Sequence, residues 1–141
     1  AFVVVADKPA ADASATERPP EDVDATLREI AGIAAFWRGA AERVRGFESS
    51  VPPGDVVAIY GAGFYGAFIA SCLADPQRVR CHLDQNPFLQ GGTFDGRPVL
   101  PPAELPFVVS TVLVGLNPAN ARRIIADVPA LTARELRYFY L

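Results

Sequence analysis

Between Glu21 and about Phe47, apolar residues recur at spacings of three and four: Val23, Leu27, Ile30, Ile33, Ala34, Trp37, Ala41 and Val44. That period predicts one long helix with a single apolar face. Arg28, Glu29, Arg38, Glu42, Arg43 and Arg45 read as its solvated side, while Gly32, Gly39 and Gly46 are weak helix formers that work against its continuity. After the hard turn Val51-Pro52-Pro53-Gly54-Asp55 the period changes. Val56-Val57-Ala58-Ile59-Tyr60 has no polar alternation, as expected of a strand covered on both faces of a parallel sheet. Phe64, Ala67, Phe68, Ser71 and Cys72 then share a helical stripe that stops near Asp75-Pro76.

Val79 to Leu83 reads as a second strand, followed by a turn at Asp84-Gln85-Asn86-Pro87. Asp95-Gly96 marks another turn, Pro98-Val99-Leu100 a short strand, Pro101 to Leu105 a short helix, and Val112 to Leu116 a buried strand. Asn117-Pro118 places an N-cap residue before a proline at the first helical position and predicts a helix through about Ala126. Tyr138, Phe139 and Tyr140 favour a last strand in Leu136 to Leu141. Strands alternating with helices over short connections predict an α/β fold: a Rossmann-like parallel sheet of about five strands between helices, preceded by a long helix. The expected organisation is an end strand (Ala1 to Ala6) and linker (Asp7 to Pro20) in 1–20, a lead-in helix in 21–50, and a nucleotide-binding domain in 51–141.

Composition narrows the partners. Half of the 141 residues are hydrophobic, and 13 Lys and Arg stand against 16 Asp and Glu for a net charge of -3, which speaks against a nucleic-acid footprint. No apolar run approaches the roughly 20 residues of a membrane helix, so neither nucleic acid nor membrane is an expected partner, and a cytoplasmic location is. Cys72, Cys81 and His82 are too few for a structural zinc site, and the apolar settings of the two cysteines read as buried reduced thiols. The sequence contains no methionine, which reads as a piece of a longer chain.

Gly61-x-Gly63-x-x-Gly66 directly follows a buried strand and opens a helix, the context that gives this spacing meaning as a phosphate site. Gly61 permits the tight turn, Gly63 lets a diphosphate approach backbone N–H groups, and Gly66 lets helix and strand pack closely. Asp84, roughly 20 residues beyond the second glycine and at the end of the second strand, is placed to accept from ribose hydroxyls or to cap its own turn. Phe64 and Tyr65 occupy the variable loop positions, where an aromatic ring covers a sugar or base or simply packs the helix start. Arg97, Arg122 and Arg123 are candidate phosphate contacts or solvated surface residues, and His82 reads as a core histidine. The stretch from Gln85 to Pro106 is too short and too rich in Pro and Gly for a full second crossover, which favours a mononucleotide or sugar nucleotide over NAD.

Ile59-Tyr60-Gly61-Ala62-Gly63-Phe64-Tyr65-Gly66, then Leu83-Asp84-Gln85-Asn86-Pro87, Gln90-Gly91, Gly96-Arg97-Pro98-Val99-Leu100 and Val114-Gly115-Leu116-Asn117, form an ordered set. From about Glu21 to Ala126 the chain resembles the C-terminal Rossmann-like domain of S-adenosylmethionine-dependent sugar C-methyltransferases and related polysaccharide-biosynthesis methyltransferases. The resemblance implies that an upstream methyltransferase domain binds S-adenosylmethionine and carries the catalytic residues. This domain, with no cofactor of its own and inactive alone, would hold the nucleotide-sugar. The candidate substrate-binding residues are Gly61, Gly63, Phe64, Tyr65, Gly66, Asp84, Arg97 and Asn117, with no catalytic residue and no metal ligand. The same hairpin and Pro98-Val99-Leu100 strand also resemble N-terminal nucleotide-sugar-binding domains of sugar acyltransferases. Two other classes stand beside these: an NAD(P)-binding oxidoreductase or sensor domain, and a ligand-free assembly domain whose long helix pairs two chains as a homodimer.

Overall fold

The computed structural model describes residues 22–141; the strand expected at Ala1 to Ala6 and the linker at Asp7 to Pro20 lie outside the described residues. The chain divides into two compact units, residues 1–34 and 35–141. The helix predicted from the three-four spacing is present as α1 (Val23–Ser50). Asp22 caps it, its carboxylate accepting from the Ala25 N–H at 2.9 Å. In the first unit, Val23, Leu27, Ile30 and Ile33 are exposed. The helix runs through Gly32, Gly39 and Gly46 without a break despite three unfavourable propensities.

In the second unit six strands form one sheet: β1 (Val56–Tyr60), β2 (Val79–Leu83), β3 (Thr93–Phe94), β4 (Arg97–Leu100), β5 (Val109–Val114) and β6 (Arg137–Tyr140). Their order is β3-β4-β2-β1-β5-β6, and every pairing is parallel except β3 with β4. The fold is therefore α/β and Rossmann-like, with six strands rather than about five. The additional one arises at Asp95-Gly96. Both residues have positive φ, 50° and 70°, which makes a two-residue hairpin turn and pairs Phe94 with Arg97.

Side chains alternate across the sheet, as a doubly covered strand requires. Val57 and Ile59 of β1 pack with Val44 and Val51 and with Ile69, Ala70 and Cys72 of α2 (Phe64–Cys72). Ala58 and Tyr60 face the other way, with Ala121 and Ile125 of α3 (Ala121–Ala126) and Leu131 of α4 (Pro129–Thr132). Cys72 and Cys81 are buried and free, as their apolar neighbourhoods predict, and burial pushes the Cys81 thiol up to about 11. His82, in register with Ile59, is fully buried. The helix expected at Pro118 begins three residues later: the Asn117 carboxamide accepts from the Ala119 N–H at 3.0 Å, folding Asn117 to Asn120 into a turn before α3. Among the described residues no helix is long and apolar enough to cross a membrane.

Candidate functional site

β1 lies between β2 and β5, so the chain leaves β1 toward one half of the sheet and returns from it to the other. That reversal puts the carboxyl ends of β1 and β5 at a topological switch point, the place where open α/β sheets bind ligands. The glycine loop, Gly61 to Gly66, sits there between β1 and α2. Its entry is fixed from both neighbouring strands: the Gly61 N–H donates to the Leu83 carbonyl at 2.7 Å, and the Gly115 N–H donates to the Tyr60 carbonyl at 2.8 Å.

The three glycines of the motif do different things. Gly61 has a φ of 103°, and a Cβ there would stand 2.5 Å from the Gly115 carbonyl oxygen. A Cβ on Gly66 would collide with the Gly61 carbonyl, and one on Gly115 would lie 2.6 Å from the Gly66 Cα. Gly61, Gly66 and Gly115 thus form a buried backbone junction of β1, α2 and β5 that admits no side chain. Gly63 is outside it. It is exposed, its backbone is extended, and a Cβ would meet nothing within 4 Å. Gly63 is also the N-cap of α2 and provides no side-chain acceptor, so the first amides of the helix have no side-chain cap. Uncapped amides at the positive end of a nine-residue helix attract an anion.

Asp84 is held tightly against this loop. One carboxylate oxygen accepts from the Ala62 N–H and the other from the Asn86 N–H, both at 2.8 Å, while the Asp84 carbonyl accepts from the Gln90 side chain at 2.8 Å. The Asn86 bond is the turn-capping role expected of Asp84, and the Ala62 bond ties β2 to the glycine loop. The carboxylate therefore spends one acceptor direction of each oxygen on backbone, and a ribose hydroxyl would take a remaining lone pair. Nearby, burial and then the Asp84 charge push the Tyr60 hydroxyl up to about 12; it is buried and has no partner among the described residues.

Phe64 opens α2 and is 68% exposed. Tyr65 is half-buried. Both rings contact Trp37 of α1, at centroid distances of 5.4 and 6.0 Å. Asn117, exposed just beyond β5, keeps its side-chain NH2 free for a ligand because its oxygen serves the turn. Arg97 is a correction. It begins β4, at the opposite end of the strands from the glycine loop, and its guanidinium donates to the Pro76 carbonyl and the Gln77 side chain. With Asp55, Asp75, Arg78 and Arg80 it lines a cleft of about 790 Å3 at the amino ends of β1 and β2. Arg122 lies 4.2 Å from the Tyr140 ring, and Arg123 is exposed. The structure thus brings together Gly61, Gly63, Phe64, Tyr65, Gly66, Asp84 and Asn117, and leaves Arg97 out.

Gly115 and Trp37 were not legible as parts of the site. The signal for Gly115 was its place directly after a buried strand, the same position that Gly61 holds after β1. Comparison with protein-family models, curated proteins and solved structures gives no match to this chain.

Proposed function

We propose that the chain is a nucleotide-sugar-binding domain of an S-adenosylmethionine-dependent methyltransferase of sugar or polysaccharide biosynthesis, working in the cytoplasm beside a catalytic methyltransferase domain. The observation that carries the binding part is the division of labour among the glycines. Three of them close a backbone junction, and the fourth, Gly63, leaves uncapped helix amides open at the switch point of the sheet. The methyltransferase part is supported by the motif order from Ile59 to Asn117 alone. The short connection between β2 and β5, which holds only β3, β4 and one 3-10 turn and no crossover α-helix, supports a sugar nucleotide over NAD.

Thermal melting of the chain with and without ligand tests the reading. A nucleoside-diphosphate sugar raises the melting temperature by mass action, by RT ln(1 + [L]/Kd) in free energy, while NADH does less and S-adenosylmethionine nothing. Protection by NAD(P)H alone would establish the oxidoreductase reading instead. A second reading, an assembly domain, is favoured by the exposed Val23, Leu27, Ile30 and Ile33 stripe of α1. A concentration-dependent dimer with no ligand response would select it.

A further inference from the structure

We infer that Phe64 is a stacking platform for the base of the bound nucleotide, an inference that rests on the nucleotide reading above. A phenylalanine two-thirds exposed at the start of a helix gains little from burial. Its ring is nevertheless fixed in place. Trp37 meets it edge to face at 5.4 Å and 87°, and Tyr65 meets it at 5.5 Å and 78°. Trp37 is itself held at 4.6 Å from Phe68 and 5.1 Å from Phe36. The exposed ring therefore stands on a tier of aromatic supports drawn from two helices, with little rotational freedom left to lose when something covers it.

Phe64 directly follows Gly63, the N-cap of α2, so a diphosphate seated on the helix amides carries its nucleoside to the edge of this ring. A nucleobase is the occupant that uses such a surface best: it is flat, it presents a whole π face, and stacking on an aromatic side chain does not depend on which base it is. The platform accordingly adds affinity for purine and pyrimidine nucleotides alike and leaves discrimination between bases to other residues. Trp37 is the positioning residue, and Phe64 is the contact.

Isothermal titration of the 141-residue chain with UDP, ADP and pyrophosphate tests this, in the wild type, Phe64→Leu and Phe64→Trp, with melting temperatures confirming that each variant is folded. Both nucleoside diphosphates should bind the wild type roughly tenfold tighter than pyrophosphate does. Phe64→Leu should erase that margin without changing pyrophosphate affinity, and Phe64→Trp should retain it. Trp37 is the chain's single tryptophan, so its emission should respond to UDP and ADP and not to pyrophosphate. A margin that survives in Phe64→Leu, or no margin in a wild type that binds pyrophosphate, would overturn the platform while leaving the phosphate site standing. Failure of all three ligands to bind the wild type would remove the nucleotide reading and the platform with it. A wild-type dimer that Phe64→Leu turns into a monomer, with ligand affinities unchanged, would assign the ring to a protein contact and overturn the proposal.

Discussion

The carboxylate of Asp84 accepts a hydrogen bond from the backbone N–H of Ala62 at 2.8 Å, tying the end of β2 to the glycine loop that follows β1. Its other oxygen holds the Asn86 N–H, so one side chain organises two turns. Asp84→Asn keeps one acceptor oxygen and replaces the other with a donor that faces an amide. The expected loss is about 1–3 kcal/mol of stability, the cost of leaving a backbone group unpaired at a partly buried site. Urea unfolding measures it, and a midpoint equal to that of the wild type would show that the latch is dispensable.

Gly63 and Gly66 should separate function from folding. Gly66→Ala drives a methyl group into the Gly61 carbonyl and should cost at least the roughly 1–3 kcal/mol of an overpacked core. Gly63→Ala meets open space in an extended backbone and should cost less than about 1 kcal/mol, while placing a methyl where a phosphate would approach. Melting curves and nucleotide-sugar titrations on the two variants should therefore rank them in opposite orders. A Gly63→Ala protein that melts early yet binds normally would reverse the assignment.

His82 sets a pH dependence. It is fully buried, and among the described residues neither ring nitrogen completes a hydrogen bond, the Gly61 backbone lying near the ring without bonding geometry. Burial pushes its pKa below the ordinary 6.5, against the opposing pull of the Gly61 backbone and of Asp95 and Asp84 and with a smaller push from Arg97. The folded state thus holds the neutral ring while the unfolded chain takes up a proton below about 6.5. Stability is complete above that pH and falls as the solution is acidified. His82→Leu should flatten this decline between pH 7 and 5. Parallel slopes of the urea midpoint in wild type and variant would show that other groups carry the acid sensitivity.

Trp37→Ala should cost about 2–3 kcal/mol, somewhat less than a fully buried tryptophan, because the ring is half-buried but touches Phe36, Phe64, Tyr65 and Phe68. Trp37→Phe should restore more than half of that loss. Chemical denaturation gives both values, and a loss below about 0.5 kcal/mol would mean that the rings merely adjoin.

The sheet was legible because β1 is a continuous apolar run and β5 ends on one at Val112–Val114, the mark of a strand covered on both faces, while β2 is mostly buried around the exposed Arg80. The hairpin arm was not. Thr93 and Phe94 carry no periodic signal, and only the geometry of Asp95-Gly96 brings them into the sheet. Asn117-Pro118 carried the chemistry of a helix start, yet the Asn117 side chain closed a local turn first and displaced the helix. At the site, Gly61, Gly63 and Gly66 fell at the expected spacing, and Asp84 stood at the expected strand end. What spacing does not contain is distance across the sheet. Arg97 is near in sequence to Val99 and Leu100, which approach the site end of β2, but its own position at the start of the strand points it away.

The closure of the glycine loop by Gly115 also has an order in time. Gly61 and Gly66 are brought together within one strand-loop-helix unit, whereas Gly115 arrives only when β5 has paired with β1, after β2, β3 and β4 have been made. A parallel pairing this far apart along the chain is paid for in loop entropy before it gains any contact, and it forms late. During synthesis the residues of the visible motif are therefore made before its third wall. The motif written in the sequence precedes the site by half a domain of translation.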